Sequence, residues 1–240
     1  MSARLFFLIA LFGIGAWLAP QRSFARIHFL HIPKTGGTTM HTLLEKRFAP
    51  EDFYPLHGVL DMPTRMLFNN GQDVIDACNA CPPIREKISW GHFPFWFLRD
   101  KDPEFDSSFC FTILRDPVER VISNYFFRLA NGRDIDSPLG IVQNYMCKMC
   151  ASNNTLEGEE LLQDSMRNLR RMNQIIFLDD YENGVDRLFK KLGLKHRKQI
   201  PFLNKTARSP IDAEMIQKIR EKNDLDIRLY EYAKTFLKDY

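Results

Sequence analysis

The chain has little of what marks extended, disordered or multi-span membrane proteins. Its 240 residues include only 12 glycines and 13 prolines, so a collagen-like or low-complexity chain is excluded. Only one apolar run is long enough to discuss, which excludes a protein that crosses a membrane several times. The formal charge of +3 is too small to indicate a nucleic-acid partner. What remains is one ordinary globular domain, because chains of roughly 100–250 residues usually build a single core.

The apolar run covers residues 5–18, with Arg4 before it and Arg22 and Arg26 after it. This run is short for a membrane-spanning helix, which needs about 17–25 residues. It fits the apolar part of a signal peptide, and residues 23–25 (Ser-Phe-Ala) give a small-x-small cleavage pattern. We therefore predict that residues 1–25 form a signal peptide or a short signal anchor. A buried or amphipathic N-terminal helix is the alternative.

Short apolar runs alternate with amphipathic segments along the rest of the chain. The apolar runs predict strands at residues 27–32, 88–92, 109–114 and 174–178. The amphipathic segments predict helices from residue 38, at 116–131, 156–172 and 181–192, and one long helix from residue 210. Residues 93–97 are predicted to be an aromatic loop. Strands that alternate with helices indicate an α/β fold, with a mostly parallel sheet in a P-loop-like three-layer α/β/α core.

The loop between the first strand and the first helix contains the most chemistry. Its polar and flexible residues are Lys34, Thr35, Gly36, Gly37, Thr38 and Thr39. Helix N-termini bind anions through unpaired N–H groups, and glycines let the backbone approach the ligand closely. The loop is not a Walker A motif, because no Gly-Lys-Ser/Thr sequence follows the first glycine. It predicts a phosphate site, and a plain strand-to-helix turn is the alternative.

A second segment, residues 111–123, runs from the third strand into a helix. Asp116 fits the N-cap, Pro117 the first helical position and Glu119 the third. Arg115 ends the strand, and its planar guanidinium suits a phosphate dianion. Ser123 follows two turns into the helix and adds a hydroxyl donor. Pairing of Arg115 with a carboxylate and a surface position for Ser123 are the alternatives.

These two segments resemble the 5′-phosphosulfate loop and the 3′-phosphate element of carbohydrate O-sulfotransferases of the heparan-sulfate type and their bacterial and algal relatives. The resemblance implies a sulfotransferase domain over residues 26–240. It implies transfer of a sulfuryl group from 3′-phosphoadenosine 5′-phosphosulfate (PAPS) to an acceptor hydroxyl, with a glycan as the expected acceptor. Lys34 and the amides of residues 35–39 would hold the 5′-phosphosulfate. Arg115 and Ser123 would hold the 3′-phosphate.

Sulfuryl transfer also needs a group that removes the proton of the acceptor hydroxyl, and histidine is the usual one. His92 ends the second predicted strand, at the carboxyl edge of the sheet where ligands bind in this architecture. We predict His92 as the base and His57 as the second candidate. The alternative is that His92 is a structural histidine at a strand end, with its hydrogen bonds made within the fold. Lys34 has a catalytic role as well, because a cation beside the leaving phosphate oxygen stabilises the developing charge. No metal is expected.

Two rival functions stay open. A P-loop kinase or NTPase is disfavoured by the missing Gly-Lys-Ser/Thr, and Asp179 and Asp180 after the fourth strand are weak candidates for magnesium ligands. A catalytically inactive, membrane-tethered protein that binds nucleotide or polysaccharide is the second rival. Two Cys-x-x-Cys pairs, at residues 78–81 and 147–150, leave free thiols, disulfides and a zinc site open.

The N-terminal segment also carries the predicted location. We expect attachment to a membrane, with the domain in the Golgi lumen of a eukaryote. In a bacterium the inner membrane or the cytoplasm is the expected place. The oligomeric state and the identity of the acceptor have no readable signal in the sequence.

Overall fold

The computed structural model describes residues 24–54, 81–195 and 208–237. The sheet in these residues has four strands: β1 Ile27–Leu30, β2 Ile88–Gly91, β3 Phe109–Leu114 and β4 Gln174–Phe177. Their order is β2-β1-β3-β4, and every neighbouring pair is parallel. The carboxyl ends therefore share one edge, and the loop after β1 lies between the loops after β2 and β3.

Helices connect the strands and cover both faces of the sheet. They are α1 Gly37–Glu45, α2 Phe95–Lys101, α3 Pro117–Ala130, α4 Tyr145–Cys150, α5 Gly158–Arg171, α6 Tyr181–Lys191, α7 Ala213–Lys222 and α8 Asp224–Phe236. None of the helices within the described ranges is both long and apolar enough to cross a membrane. The predicted N-terminal targeting segment lies outside those ranges up to residue 23.

Alternate residues of the strands enter two separate cores. Phe29 and Phe111 pack in one core with α1 and α6. Leu30 and Ile175 pack in the other with α2, α4, α5 and α8. Strands that are buried on both faces read as near-continuous apolar runs, and each of these strands has only one strongly polar residue: His28, Ser89, Thr112 and Gln174. The predicted three-layer α/β/α fold with a parallel sheet is confirmed.

The amino edge of the sheet is fixed by a buried polar network around His28. Its Nε2 lies 2.7 Å from Asp102 Oδ2 and its Nδ1 lies 2.6 Å from Ser89 Oγ. Asp102 also accepts from Arg26 at 2.7 Å and from Ser108 at 2.7 Å. Burial alone would raise the pKa of Asp102, but hydrogen bonds, above all from His28 and Ser108, lower it to about 2. His28 is thus committed to the fold.

Two predicted connections are wrong. Residues 93–97 were expected as a loop, but α2 begins at Phe95, because Phe95, Phe97 and Leu98 fill the core beside the sheet. The long C-terminal helix is broken at Asn223, which separates α7 from α8. The Asn223 side chain bonds the Ile219 carbonyl and the Asn144 amide, so the break ties the C-terminal helices to α4.

The buried side of α3 also differs from the one that its sequence predicts. The apolar spacing along α3 predicts that Leu129 is buried, but it is 42% exposed. The sequence also predicts that Arg120 forms a salt bridge on its own helix, but Arg120 is fully buried and its Nη2 lies 3.8 Å from Asp226 Oδ2 of α8. The shift arises because α3 packs against α7 and the turn at residues 138–140, with Ile219 in that contact.

Candidate active site

The turn between β1 and α1 has an uncommon backbone conformation. Lys34 has a φ of 69° and Gly36 a φ of 95°, both in the left-handed region. The Thr35 hydroxyl donates to the Ile32 carbonyl at 2.7 Å. The side chain of this predicted phosphate-binding residue therefore stabilises the conformation of the loop. Gly36 is the N-cap of α1 and provides no side-chain cap. The first N–H groups of α1 are therefore left for an anion.

Both glycines of the loop are required by their neighbours. A Cβ on Gly36 would lie 3.0 Å from Leu178 Cδ1, and the Tyr181 hydroxyl donates to the Gly36 carbonyl at 3.1 Å. A Cβ on Gly37 would lie 1.9 Å from Nε2 of His31. The loop is thus packed between the end of β4 on one side and the His31 ring on the other.

Three cations converge beside this loop. Arg115 Nη1 donates to the Lys34 carbonyl at 3.1 Å, and its Nη2 pairs with Glu119 Oε2 at 3.0 Å. Arg208, which no sequence motif indicated, pairs with the same Glu119 oxygen at 2.9 Å. The neighbouring positions of β1 and β3 in the sheet bring Lys34 and Arg115 together. One carboxylate therefore serves two guanidinium groups.

The electrostatics of this cluster favour an anionic ligand. Burial, followed by the charges of Arg115 and Arg208, lowers the pKa of Lys34 to about 8. Burial and the charge of Arg208 lower the pKa of Arg115, against the opposing effect of Glu119. The Lys34 ammonium lies 3.7 Å from the centre of the Phe127 ring of α3. The cluster is short of negative charge, and a phosphate dianion would supply it.

The remaining predicted donor residues lie on the two helices that follow the loops. Thr38 is exposed and Thr39 is buried, both in the first turn of α1. Ser123 is buried on α3, one turn beyond Arg120. Asp116 caps α3 as predicted, accepting the Glu119 amide at 2.9 Å. The Glu119 side chain does not close the capping box but pairs with the arginines instead.

His92 follows β2 on the opposite side of the β1 loop from Arg115. Its ring meets the His31 ring edge to face, with 4.6 Å between centres. Burial lowers the pKa of His92 to about 4, so the imidazole is neutral near pH 7. His31 is buried, and burial followed by the charges of His92, His41 and Lys34 lowers its pKa well below the usual value. The other predicted candidate, His57, lies outside the described residues.

An aromatic wall adjoins this histidine pair. Trp90 of β2 stacks on His41 of α1 with 3.6 Å between ring centres, and lies 5.8 Å from the His31 ring. His41 Nε2 is 3.4 Å from Glu45 Oε1, and burial lowers the pKa of His41 despite that carboxylate. His31 and His41 flank the loop in the sequence, but no sequence pattern indicates that they form one packed group with Trp90.

The cysteine pairs and the candidate magnesium ligands have other surroundings. Cys147 and Cys150 are free and buried, and burial raises the pKa of both thiols well above the usual value. A neutral buried thiol is a poor nucleophile and metal ligand. Of the pair at residues 78–81, only Cys81 is described. Across the described part of the chain, no cluster of three or more His, Cys, Asp or Glu side chains could hold a metal ion.

Comparison with known proteins gives one family and several relatives. The model of the "Sulfotransferase family" matches residues 21–148, more than half of the chain. Heparan-sulfate 6-O-sulfotransferase 1-B of Danio rerio is 25% identical over 87% of this chain, and the chain spans 65% of that relative's length. A sulfotransferase structure from Alicyclobacillus acidocaldarius is 12% identical, with a TM-score of 0.45 over 87% of this chain and 95% of that one. Mouse sulfotransferase SULT7A1, solved with PAP, is 12% identical, with a TM-score of 0.36 over 82% of this chain and 62% of that one.

The contact between His31 and Gly37 generates a prediction about stability. We expect Gly37→Ala to lower the free energy of unfolding by about 1–3 kcal/mol, the usual range for forcing an atom into a packed site. Combined with His31→Ala, the same change should cost clearly less, because the ring that clashes with the new Cβ is gone. Urea unfolding of the single and double variants measures the coupling.

Gly140→Ala is the matched control, because its Cβ would lie 3.4 Å from Ile135 Cγ1 and its φ is not positive. We expect only a small change in stability there. Equal costs for Gly37→Ala with and without His31 would contradict the proposed contact.

Proposed function

Because the chain belongs to the sulfotransferase family, we propose that it transfers the sulfuryl group of PAPS to an acceptor hydroxyl. The observation that carries this proposal is the convergence of Lys34, Arg115 and Arg208 beside the loop that leads into α1. Burial and the two neighbouring guanidinium groups lower the pKa of Lys34, and Arg115 and Arg208 share the single carboxylate of Glu119. An anion of higher charge than Glu119 would therefore stabilise the three cations. A nucleotide with phosphates at both ends of its ribose has that charge.

The two ends of the donor have separate partners in this proposal. Lys34 and the free amides at the start of α1 would hold the 5′-phosphosulfate. Arg115 and Ser123 would hold the 3′-phosphate, and Arg208 adds a third partner that the sequence did not indicate. Glu119 now holds both guanidinium groups in place. A phosphate dianion competes for them because charge-assisted bidentate bonds to phosphate are strong.

The chemistry requires one proton acceptor and one stabilising cation. The acceptor oxygen attacks sulfur and its proton passes to His92, while the bond from sulfur to the 5′-phosphate oxygen breaks. The Lys34 ammonium stabilises the charge that develops on that leaving oxygen. A pKa of about 4 makes His92 a weak base in the free protein. The negative charges of a bound donor would raise it toward the working pH.

A carbohydrate hydroxyl is the proposed acceptor. Its support is the name of the Danio rerio relative, whose acceptor is heparan sulfate by that name. Labelled-sulfate transfer to a panel of glycans, tyrosine peptides and small phenols separates this acceptor class from the others.

The rival functions have less support in the described residues. A kinase or NTPase would use a carboxylate after a strand to hold magnesium, but Asp179 pairs with Lys234, and Asp180 with Arg187 at 3.1 Å. Binding of 3′-phosphoadenosine 5′-phosphate (PAP) without magnesium distinguishes a sulfotransferase from that class. Sulfate turnover distinguishes it from an inactive binding protein.

Separate roles for the site residues predict separate failures. Arg115→Ala and Ser123→Ala should each weaken PAP binding by about 1.5–3 kcal/mol, because each removes a hydrogen bond to a charged phosphate. His92→Ala should leave PAP binding nearly intact and lower kcat by about 10²–10⁴, the usual range for a lost general base. Lys34→Ala should do both. Calorimetry with PAP beside sulfate turnover measures each variant.

Arg220→Ala is the control, because this arginine is exposed on α7. Both measurements should stay at the wild-type level. Wild-type PAP affinity in Arg115→Ala would remove the main support for the donor site. Wild-type turnover in His92→Ala would show that His92 is not the base, and His57 would be the next candidate to test.

The lowered pKa of Lys34 predicts how donor binding depends on pH. Only the ammonium form attracts phosphate, and in the free protein its pKa is about 8. PAP affinity should therefore be high below pH 8 and fall above it by up to about tenfold per pH unit. In Lys34→Met the affinity should be lower and should lose this dependence. A wild-type affinity that stays constant to pH 9.5 would contradict the assignment.

We propose in addition that residues 1–25 keep the protein at a membrane, in the Golgi lumen if the source is eukaryotic. The apolar run at residues 5–18 and its flanking arginines support this. The intact chain should sediment with membranes after alkaline carbonate extraction, whereas a variant that begins at residue 26 should not. Full recovery of the intact chain in the soluble fraction would exclude the tether.

A further inference from the structure

A second concave site lies between α4, the start of α5 and the start of α8. Its volume is about 220 Å³, room for more than a single ion or water at about 30 Å³ per water. Four carboxamide side chains line it, from Gln143, Asn144, Asn153 and Asn154. We call it the amide cleft. We propose that the amide cleft binds one pyranose unit of a saccharide chain, outside the reaction centre.

Two of the four carboxamides, those of Asn144 and Asn153, are held in place by hydrogen bonds within the protein. The Asn144 side-chain oxygen accepts the Asp226 amide at 3.3 Å, and the Asn153 oxygen accepts both the amide and the hydroxyl of Thr155, at 3.0 and 2.8 Å. Both oxygens are engaged within the protein, so the NH₂ groups of these two side chains are left to donate. Gln143 and Asn154 add donors and acceptors together. A sugar hydroxyl, which both donates and accepts, matches this mixture.

The rest of the lining fits a pyranose ring. Leu156, Leu161 and Leu225 give the cleft an apolar surface beside the polar groups. A pyranose is likewise amphipathic, with C–H groups on its faces and hydroxyls around its rim. Lys148 and Glu157 also line the cleft, and their opposite charges cancel. A neutral, hydroxyl-rich ligand fits this balance better than a sulfate ion or a cation does.

The wall of the cleft is held rigidly from beneath. The Asp226 carboxylate accepts the Met146 amide at 2.9 Å and the Cys147 amide at 2.8 Å, which fixes the start of α4. The Asn144 amide donates to Asn223 at 3.1 Å. A preorganised wall lowers the cost of ordering side chains when a ligand binds.

The cleft also lies toward the edge of the sheet that carries the donor loop. The C-terminal residue of α5, Arg171, contacts Asp106 just before β3, so this end of the helix lies at the amino edge. The 14 residues of α5 span about 21 Å at 1.5 Å per residue. Its start, which borders the cleft, therefore lies toward the carboxyl edge. His92 lies at the same edge, so we infer that a saccharide chain held in the cleft can extend toward it along that edge; this role in acceptor binding rests on the proposed function.

Residues 153–155 (Asn-Asn-Thr) match the Asn-x-Thr pattern for N-glycosylation. The test uses the full chain made in a bacterial host, which leaves Asn153 without a glycan. The probes are glucose, galactose and N-acetylglucosamine, with binding followed by saturation-transfer NMR. We expect millimolar binding of at least one sugar. Gln143→Ala and Asn154→Ala should each weaken it about three- to tenfold, the effect of one hydrogen bond, and the double variant should abolish it. Gln163→Ala and Gln217→Ala, exposed amides outside the cleft, should leave it unchanged.

PAP affinity is measured on the same samples and separates this inference from the proposed function. If PAP binds but none of the sugars does, the amide cleft is not a saccharide site and the proposed function stands. Sugar binding that survives in the double variant also overturns the cleft. If sugars bind in the cleft but PAP does not bind, the saccharide site is supported and the proposed donor site is contradicted. With a polymeric glycan acceptor, the double variant should raise KM and leave kcat unchanged; an unchanged KM would exclude the acceptor role.

Discussion

The packing of the His31 ring against the backbone of Gly37 is the contact on which the rest of the site depends. The ring occupies the space that a side chain at residue 37 would fill. Because residue 37 is glycine, the start of α1 can pack directly against the His31 ring at the end of β1, with its free amides beside the loop. The same ring meets His92 from β2. One buried imidazole therefore sets both the path of the donor loop and the position of the proposed base.

The position of β1 between β2 and β3 explains why this contact affects both sides of the site. The loop after β1 has the histidine from β2 on one side and the arginine from β3 on the other. Parallel pairing delivers all three loops to one edge, where His31 contacts His92 and Arg115 bonds the Lys34 carbonyl. In the proposed function the chemistry then divides along the sheet, with proton removal on the β2 side and phosphate recognition on the β3 side.

The fold could be predicted from the sequence because its signals are local. Continuous apolar runs mark the buried strands, and Asp116, Pro117 and Glu119 mark the start of α3. The loop residues and Arg115 were also readable, as members of local motifs. Arg208 was not, because it belongs to no local motif and its partner Glu119 is far away in sequence. The helix α2 was missed because its aromatic residues have no helical spacing that distinguishes it from a loop. Only the structure shows that these residues fill the core.

A buried ion pair connects the phosphate side of the site to the amide cleft. Arg120 of α3 is fully buried, and within the described residues its guanidinium nitrogens have no hydrogen-bond partner. Its charge is balanced by Asp226 at 3.8 Å, whose oxygens also hold the start of α4. Taking a guanidinium out of water without hydrogen bonds is costly, and a carboxylate at that distance offsets only part of the cost. The pair is therefore better understood as a constraint on the relative positions of α3, α4 and α8 than as a source of stability. It holds the helix that carries Ser123 in a fixed relation to the wall that carries Asn144.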